Sequence, residues 1–332
     1  MKKVTPKVVV IGGGTGTFTV LSGLRDYPVS LSAVISMADS GGSNRILRDE
    51  FGILPTSDIR QALVALADDK GDREIFRKLF IYRFHQGIGI SGMTFGNLFM
   101  AALTDILGSQ LKAIEETAKI LHIKGQIFPV TLEDVQLLAR YENGHQVVGE
   151  HYIDEPRHNG KLKIVELETI PKAKAYPLAV KAIKEADLVV LGPGDLYTSL
   201  VCNLTIDGIA QALRKTKGQV VYIMNLMGKY GQSYRFSAKD HLEVIEKYLG
   251  RGVVDTVLIN NNLNFPKGIL KKYEEEQAFL VKNDLSEKEN LKVVETDLLS
   301  SVIFDKPKAD HLHRSMIRHD SQKLAQALLS LI

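Results

Sequence analysis

The stretch KVVVIGGGTGTFTVLSGLR, residues 7–25, decides the fold. Its opening, Val8 to Ile11, is a bare β-branched run with no polar alternation, as expected of a strand covered on both faces. Gly12-Gly13-Gly14-Thr15-Gly16 then forms a turn. Residues 17–25 follow with Val20, Leu21 and Leu24 at helical spacing. Strand, glycine turn, helix is the opening unit of a doubly wound sheet.

The same cadence recurs along the chain. Residues 30–37 read as a second strand. Asp58 stands where an N-cap would stand, before Ile59, Leu63 and Leu66 on one helical face. Residues 97–107 and 111–121 read as helices. Residues 146–153 and 162–168 read as a strand pair that interrupts the rhythm. Bare apolar strands return at 188–191, 219–224 and 253–259, and residues 321–331 read as a last helix. The expected class is α/β: a mostly parallel, Rossmann-like sheet with a small insert or antiparallel edge. The 332 residues suit one such domain, 1–332, with the insert inside 110–170.

Composition narrows the function. Hydrophobic residues are 45% and charged residues 24%, the balance of a globular chain and not a disordered one. The net charge of +3 shows no clustered basic patch with aromatics, so nucleic acid is not the expected partner. No apolar run is long enough to span a bilayer, and Val8 to Ile11 is too short for the core of a signal peptide. Cys202 is alone and apolar in its surroundings, so it is expected buried and inert, without a disulfide or a multi-Cys zinc site. The reading is a cytoplasmic protein, open to homodimerisation and to regulatory protein partners.

In a doubly wound sheet, ligands sit beyond the carboxyl ends of the strands. Those ends carry Gly12 to Gly16, then Asp39-Ser40-Gly41-Gly42-Ser43, then Gly192-Pro193-Gly194-Asp195, then Asn225-Leu226-Met227-Gly228, then Asn260-Asn261-Asn262. Any one is explained as a turn, but five on one edge point to a ligand. Glycines admit an anion to backbone N–H groups, so that ligand should carry phosphate. No Gly-Lys-Ser/Thr ending follows the first loop, which disfavours a Walker-type ATPase. Thr17 stands where the dinucleotide fingerprint wants glycine, so an ordinary dehydrogenase matches poorly.

Several separated motifs also resemble one family. GGGTG (12–16), ADSGGS (38–43), LRDEFGILPTSDIRQALVALAD (47–68), LFIYRF (79–84) and SGMTFGNLFMAALT (91–104) are similar to the gluconeogenesis-factor family, the YvcK-like branch of the CofD-like superfamily. VTLEDVQL (130–137), GPGDLYTSLVCNL (192–204), YIMNLM (222–227) and SAKDH (237–241) extend the likeness over most of the chain. The resemblance implies a cytoplasmic binder of UDP-N-acetylglucosamine that supports cell-wall synthesis, cell shape and growth on gluconeogenic carbon sources, with no established turnover. The superfamily's other branch moves a phospholactyl group from a guanylated donor to a deazaflavin in coenzyme F420 synthesis. That branch carries a Trp-containing motif, and this chain has no Trp. The transferase is therefore the alternative.

Site expectations follow. Gly12, Gly13, Gly14, Thr15, Gly16, Gly41, Gly42, Ser43, Gly192 and Gly194 would cradle a nucleotide diphosphate. Asp39 would hold a divalent ion such as Mg²⁺ on that diphosphate, meet a ribose hydroxyl, or simply start a turn; in the transferase reading it is the candidate catalytic residue. Asp58 and Asn97 divide between helix caps and ligand contacts, and Asp195 and Ser199 between capping and phosphate. Asn225 closes the fourth strand end. Arg45, Arg48 and Arg60 could clamp phosphate. By resemblance, Tyr273 would stack on the base and Arg318 hold phosphate. His311, His313 and His319 lack a completing ligand and read as loop residues, and Glu274-Glu275-Glu276 as a solvated helix face. The chain departs from the family where Ser-Gly-Arg-Leu-Arg becomes Asn44-Arg45-Ile46-Leu47-Arg48, where Pro-Gly-Asp-Ile-Arg-Asn becomes Thr56-Ser57-Asp58-Ile59-Arg60-Gln61, and where Thr-Gln-Pro-Gly-Glu-Thr becomes Gly228-Lys229-Tyr230-Gly231-Gln232-Ser233.

Overall fold

The computed structural model describes residues 5–41, 44, 47–49, 52–68, 73–287, 290–304 and 315–332. The strands are β1 (Lys7–Gly12), β2 (Ser30–Ile35), β3 (Gln126–Pro129), β4 (Gln136–Tyr141), β5 (Gln146–Val148), β6 (Ile164–Ile170), β7 (Leu188–Leu191), β8 (Gln219–Ile223), β9 (Thr256–Asn260) and β10 (Lys292–Thr296). Seven of them form one sheet in the order β10-β9-β8-β7-β1-β2-β3, and every neighbouring pair in it is parallel.

The strand cores explain that arrangement. Val8 to Ile11, Leu188 to Leu191 and Val220 to Ile223 are all buried. A strand with no solvated face must be covered by helices on both sides, which parallel crossovers supply. β1 lies between β2 and β7, with Val8 opposite both Leu31 and Leu188. Strand order reverses at this point, because the chain runs outward through β2 and β3 and then returns to β7. The crevice beyond the carboxyl ends of β1 and β7 is therefore the topological switch point, where doubly wound sheets bind ligands.

The antiparallel insert departs from the expected pairing. Residues 146–153 and 162–168 do not pair with each other. β4 lies between β5 and β6 and pairs with both. The alternation of buried and exposed residues in Gln136–Tyr141 is the signature of this central strand. β5 stops at Val148, because Gly149 at φ +100° turns the chain into the helix Glu150–Asp154.

Two caps also move. The helix Ser57–Leu66 has Thr56 at its N-cap, so Asp58 lies in the first turn instead. Asn44 Oδ1 accepts from the N–H groups of Thr56 (3.2 Å) and Ser57 (3.3 Å), which leaves Asp58 no capping task. The helix Phe95–Leu107 is capped by Thr94, whose hydroxyl accepts from Asn97 N–H. Among the described residues, no helix is long and apolar enough to cross a membrane.

Candidate functional site

A cleft of about 920 Å³ opens at the switch point. One of its walls is backbone. Gly13, Gly14, Thr15 and Gly16 come from the turn after β1, and Pro193, Gly194 and Asp195 from the turn after β7. Helix Gly14–Leu24 begins there with Gly13 at its N-cap and no side-chain cap. Elsewhere Thr94, Ser109, Ser237 and Asp320 cap their helices with a side chain. An uncapped first turn offers N–H groups and the positive end of the helix dipole to an anion. Gly14 holds φ +64°, a conformation that disfavours side chains. A Cβ on Gly16 would overlap the Pro193 carbonyl oxygen, so glycine there lets the two turns touch.

The second wall is built from side chains. Asp39, Glu150, Asp154, Asp195 and Lys229 line it. Lys229 Nζ donates to Asp154 and to Asp195 Oδ2, the latter at 2.8 Å. Asp39 Oδ1 accepts from Gly41 N–H at 2.8 Å and its Oδ2 from Asn44 Nδ2 at 2.6 Å. Glu150 Oε2 accepts from Ser40 N–H, and Ser40 Oγ accepts from His151 N–H, which ties the β2 loop to the insert's helix.

Electrostatics follows from this crowding. Burial, then the neighbouring charges of Asp39 and Asp154, pushes the Glu150 carboxyl well above the usual carboxylate range. Burial likewise raises Asp39 and Asp195. For Lys229, burial alone would lower the ammonium, but Asp154 and Asp195 outweigh it and hold the group charged.

The expected site residues divide into three groups. Gly13, Gly14, Thr15, Gly16, Asp39, Gly41, Asp58, Arg60, Gly194, Asp195, Ser199, Asn225, Tyr273 and Arg318 all line the cleft. Gly12, Asn97 and Gly192 stand behind it, as does Arg48, which pairs with Asp134 at 3.2 Å. Gly42, Ser43, Arg45, His311 and His313 lie outside the described residues.

Asn97 has a structural part in a buried network. It accepts from Arg60 Nε at 2.9 Å and donates to Ser57 Oγ at 3.1 Å, and Ser57 Oγ donates to Asn44 Oδ1. Asn44 in turn holds Asp39. The Tyr273 hydroxyl accepts from the N–H groups of Met316 and Ile317, so it anchors the segment that presents Arg318. The Arg318 guanidinium lies 3.4 Å over the Phe304 ring. Asn225 donates to the Gly194 carbonyl at 2.8 Å and so ties the β8 loop to the β7 loop. Cys202 is buried and its thiol is pushed up to about 12 by burial, as expected of an inert cysteine.

Four residues that build or brace the charged wall escaped the sequence reading. Glu150 and Asp154 sit four apart on one short helix, a spacing that puts both carboxylates on one face. Lys229 and Gln232 lie in the stretch that departs from the family pattern. Gln232 Oε1 accepts from Tyr197 and Thr198 N–H, and its amide donates to Asp154. It thereby occupies the first donors of the π-helical turn Leu196–Val201, a task that neither Asp195 nor Ser199 performs. His319, read as a loop residue, is buried at the cleft, and burial lowers its imidazole to about 4.

Comparison with known proteins agrees with the geometry. Residues 8–299 match the family described as 2-phospho-L-lactate transferase CofD. The gluconeogenesis factor of Bacillus subtilis is 36% identical over 327 residues, 98% of each chain. That of Listeria innocua is 37% identical over 333 residues, 100% of this chain and 97% of the relative. A crystal structure of a UPF0052 family protein from Bacillus halodurans superimposes with a TM-score of 0.87 at 32% identity, covering 98% of this chain and 99% of that one. The chain belongs to the CofD family, among its gluconeogenesis-factor members.

Proposed function

We propose that the cleft binds a nucleotide sugar, UDP-N-acetylglucosamine, and that the protein is a cytoplasmic regulatory binder supporting cell-wall synthesis, cell shape and growth on gluconeogenic carbon sources. One observation carries the reading: the uncapped first turn at Gly13–Gly16 faces Gly194 across the switch point. That corner suits a diphosphate. The cleft's volume falls in the range of pockets that enclose a ligand of this size. The sole cysteine is buried and its thiol is raised by burial, so it is no nucleophile for the cleft.

A thermal-shift panel of UDP-N-acetylglucosamine, UDP, GDP and ATP tests it. With ligand about 100-fold above its dissociation constant, the sugar nucleotide should stabilise the protein by about 2.7 kcal/mol. GDP should do less, and UDP-N-acetylglucosamine should be recovered unaltered. The family match to a transferase favours one second reading, phospholactyl transfer from a guanylated donor. Stronger stabilisation by GDP together with deazaflavin binding would replace the first reading with that one.

A further inference from the structure

The charge balance of the side-chain wall poses a problem for any diphosphate. Asp39, Glu150, Asp154 and Asp195 face the same cleft as the glycine turns. Asp58 lines it too, and a Cβ on Gly13 would overlap Asp58 Oδ2, so a carboxylate crowds the phosphate corner itself. Many phosphate sites answer this with a divalent cation held by one or two carboxylates. These residues do not fit that role. Both Asp39 oxygens accept from N–H donors, Glu150 Oε2 accepts from Ser40 N–H, and Asp154 and Asp195 converge on an ammonium. Among the described residues, no three His, Cys, Asp or Glu side chains come together to hold a metal ion.

We propose that Lys229 is a tethered cation that takes the place of a divalent metal, so that nucleotide binding in this cleft is metal-independent. The inference rests on the nucleotide-sugar reading above. Three features support it. Lys229 Nζ bridges carboxylates from two separate segments, the insert helix at Asp154 and the β7 loop at Asp195. Its backbone is fixed, since Lys229 N–H donates to Ser233 Oγ at 3.1 Å and Gly228 N–H to the Phe279 carbonyl at 2.7 Å. The long stem lets the head group exchange Asp195 for a phosphate oxygen while Asp154 retains it, because a lysine ammonium has three donors and needs no fixed planar geometry. Lys229 also lies where this chain departs from the family's Thr-Gln-Pro-Gly-Glu-Thr, with lysine in the glutamine position and Gln232 in the glutamate position. Both changes make the local charge more positive.

Titration calorimetry of the full chain with UDP-N-acetylglucosamine, in excess EDTA and in Mg²⁺, tests the proposal. The wild type should bind equally in both. Lys229→Gln should weaken binding in EDTA roughly 10- to 100-fold, the loss of one charge-assisted contact, and Mg²⁺ should restore part of it. Lys229→Arg should stay within a few-fold of wild type without metal. Asp195→Asn, which removes the carboxylate that the phosphate must displace from the ammonium, should tighten binding; a variant that only misfolds cannot gain affinity. Wild-type binding that requires Mg²⁺ overturns the proposal, as does Lys229→Gln binding like wild type in EDTA. A wild type that binds GDP but no uridine nucleotide leaves the metal comparison to be read with GDP and counts against the nucleotide-sugar reading alone. Absence of any nucleotide binding removes that reading and this inference together.

Discussion

The two walls of the cleft are made of different material. Gly13–Gly16 and Gly194 present main chain, held in place by β1 and β7 and by direct contact between their turns. Asp39, Glu150, Asp154, Asp195 and Lys229 present ionisable side chains gathered from the β2 loop, the insert and the β7 and β8 loops. The first wall carries fixed dipoles that no pH change alters. The second carries charge that shifts with every proton and every nearby ion. On the proposed reading, the rigid wall would recognise phosphate and the titratable one would adjust affinity.

The sharpest way to break the rigid wall is Gly16→Val. Its branched side chain must displace Pro193 from the first helix. A loss of about 3 kcal/mol is expected, read as a lowered midpoint in urea, together with loss of nucleotide binding. Gly14→Ala is the control. There only Ser199 Oγ, at 3.8 Å, lies near the new Cβ, and the cost is backbone strain at φ +64°. About 1–2 kcal/mol should be lost. Equal effects of the two substitutions would mean that the turns do not brace each other.

Acid titration first probes a buried group that lines the cleft outside the charged wall. His319 has an ordinary value of 6.5 and is lowered to about 4 by burial. Between those values the unfolded chain holds a proton that the folded chain does not. Stability should therefore fall as pH drops from 6.5 toward 4, by about 3 kcal/mol in all, and level off below. Urea midpoints of the wild type and of His319→Asn across that window measure it. A wild-type profile no steeper than the variant's would show that His319 is solvated.

Glu150 acts with the opposite sign. Its folded carboxyl is raised above the ordinary value of 4.5, so the unfolded chain releases the proton first as pH rises. The folded state bears no such cost below 4.5, loses stability as pH climbs through the raised value, and stays penalised above it. Glu150→Gln should remove that penalty and gain about 1 kcal/mol at neutral pH, with no gain in acid. A gain independent of pH would trace to packing and would leave the titratable wall without its distinguishing property.

The rigid wall and the sheet behind it were legible in residues 7–25, because glycine spacing and unbroken β-branched runs are local signals. The expected cleft-lining residues beyond that turn, from Asp39 to Arg318, came from the same signal or from motif resemblance. The charged wall was not legible. Glu150, Asp154 and Lys229 each look like surface charge, and long-range bonds from the insert helix to the β2 and β8 loops bring them together. Asn97 misled through its position: next to Gly96 it resembles a cap, while Thr94 does that work and frees Asn97 to hold Arg60. The β5–β6 pairing failed because Gln136–Tyr141 hides its strand period: Leu137, Leu138 and Ala139 run together with no polar residue between them.

The union of β1 with β7 has a consequence for biosynthesis. Lys7 N–H bonds to Asp187 Oδ2 across 180 residues of chain. Until β7 has emerged from the ribosome, β1 is an open edge with unpaired main-chain groups on one side. The pairing is a long-range contact, the kind that closes slowly. The phosphate corner, which needs both turns, thus matures only after more than half of the chain has been made. On the proposed reading, a nucleotide bound at this corner would select finished molecules over nascent ones, and cellular pools of it would act on the protein's yield.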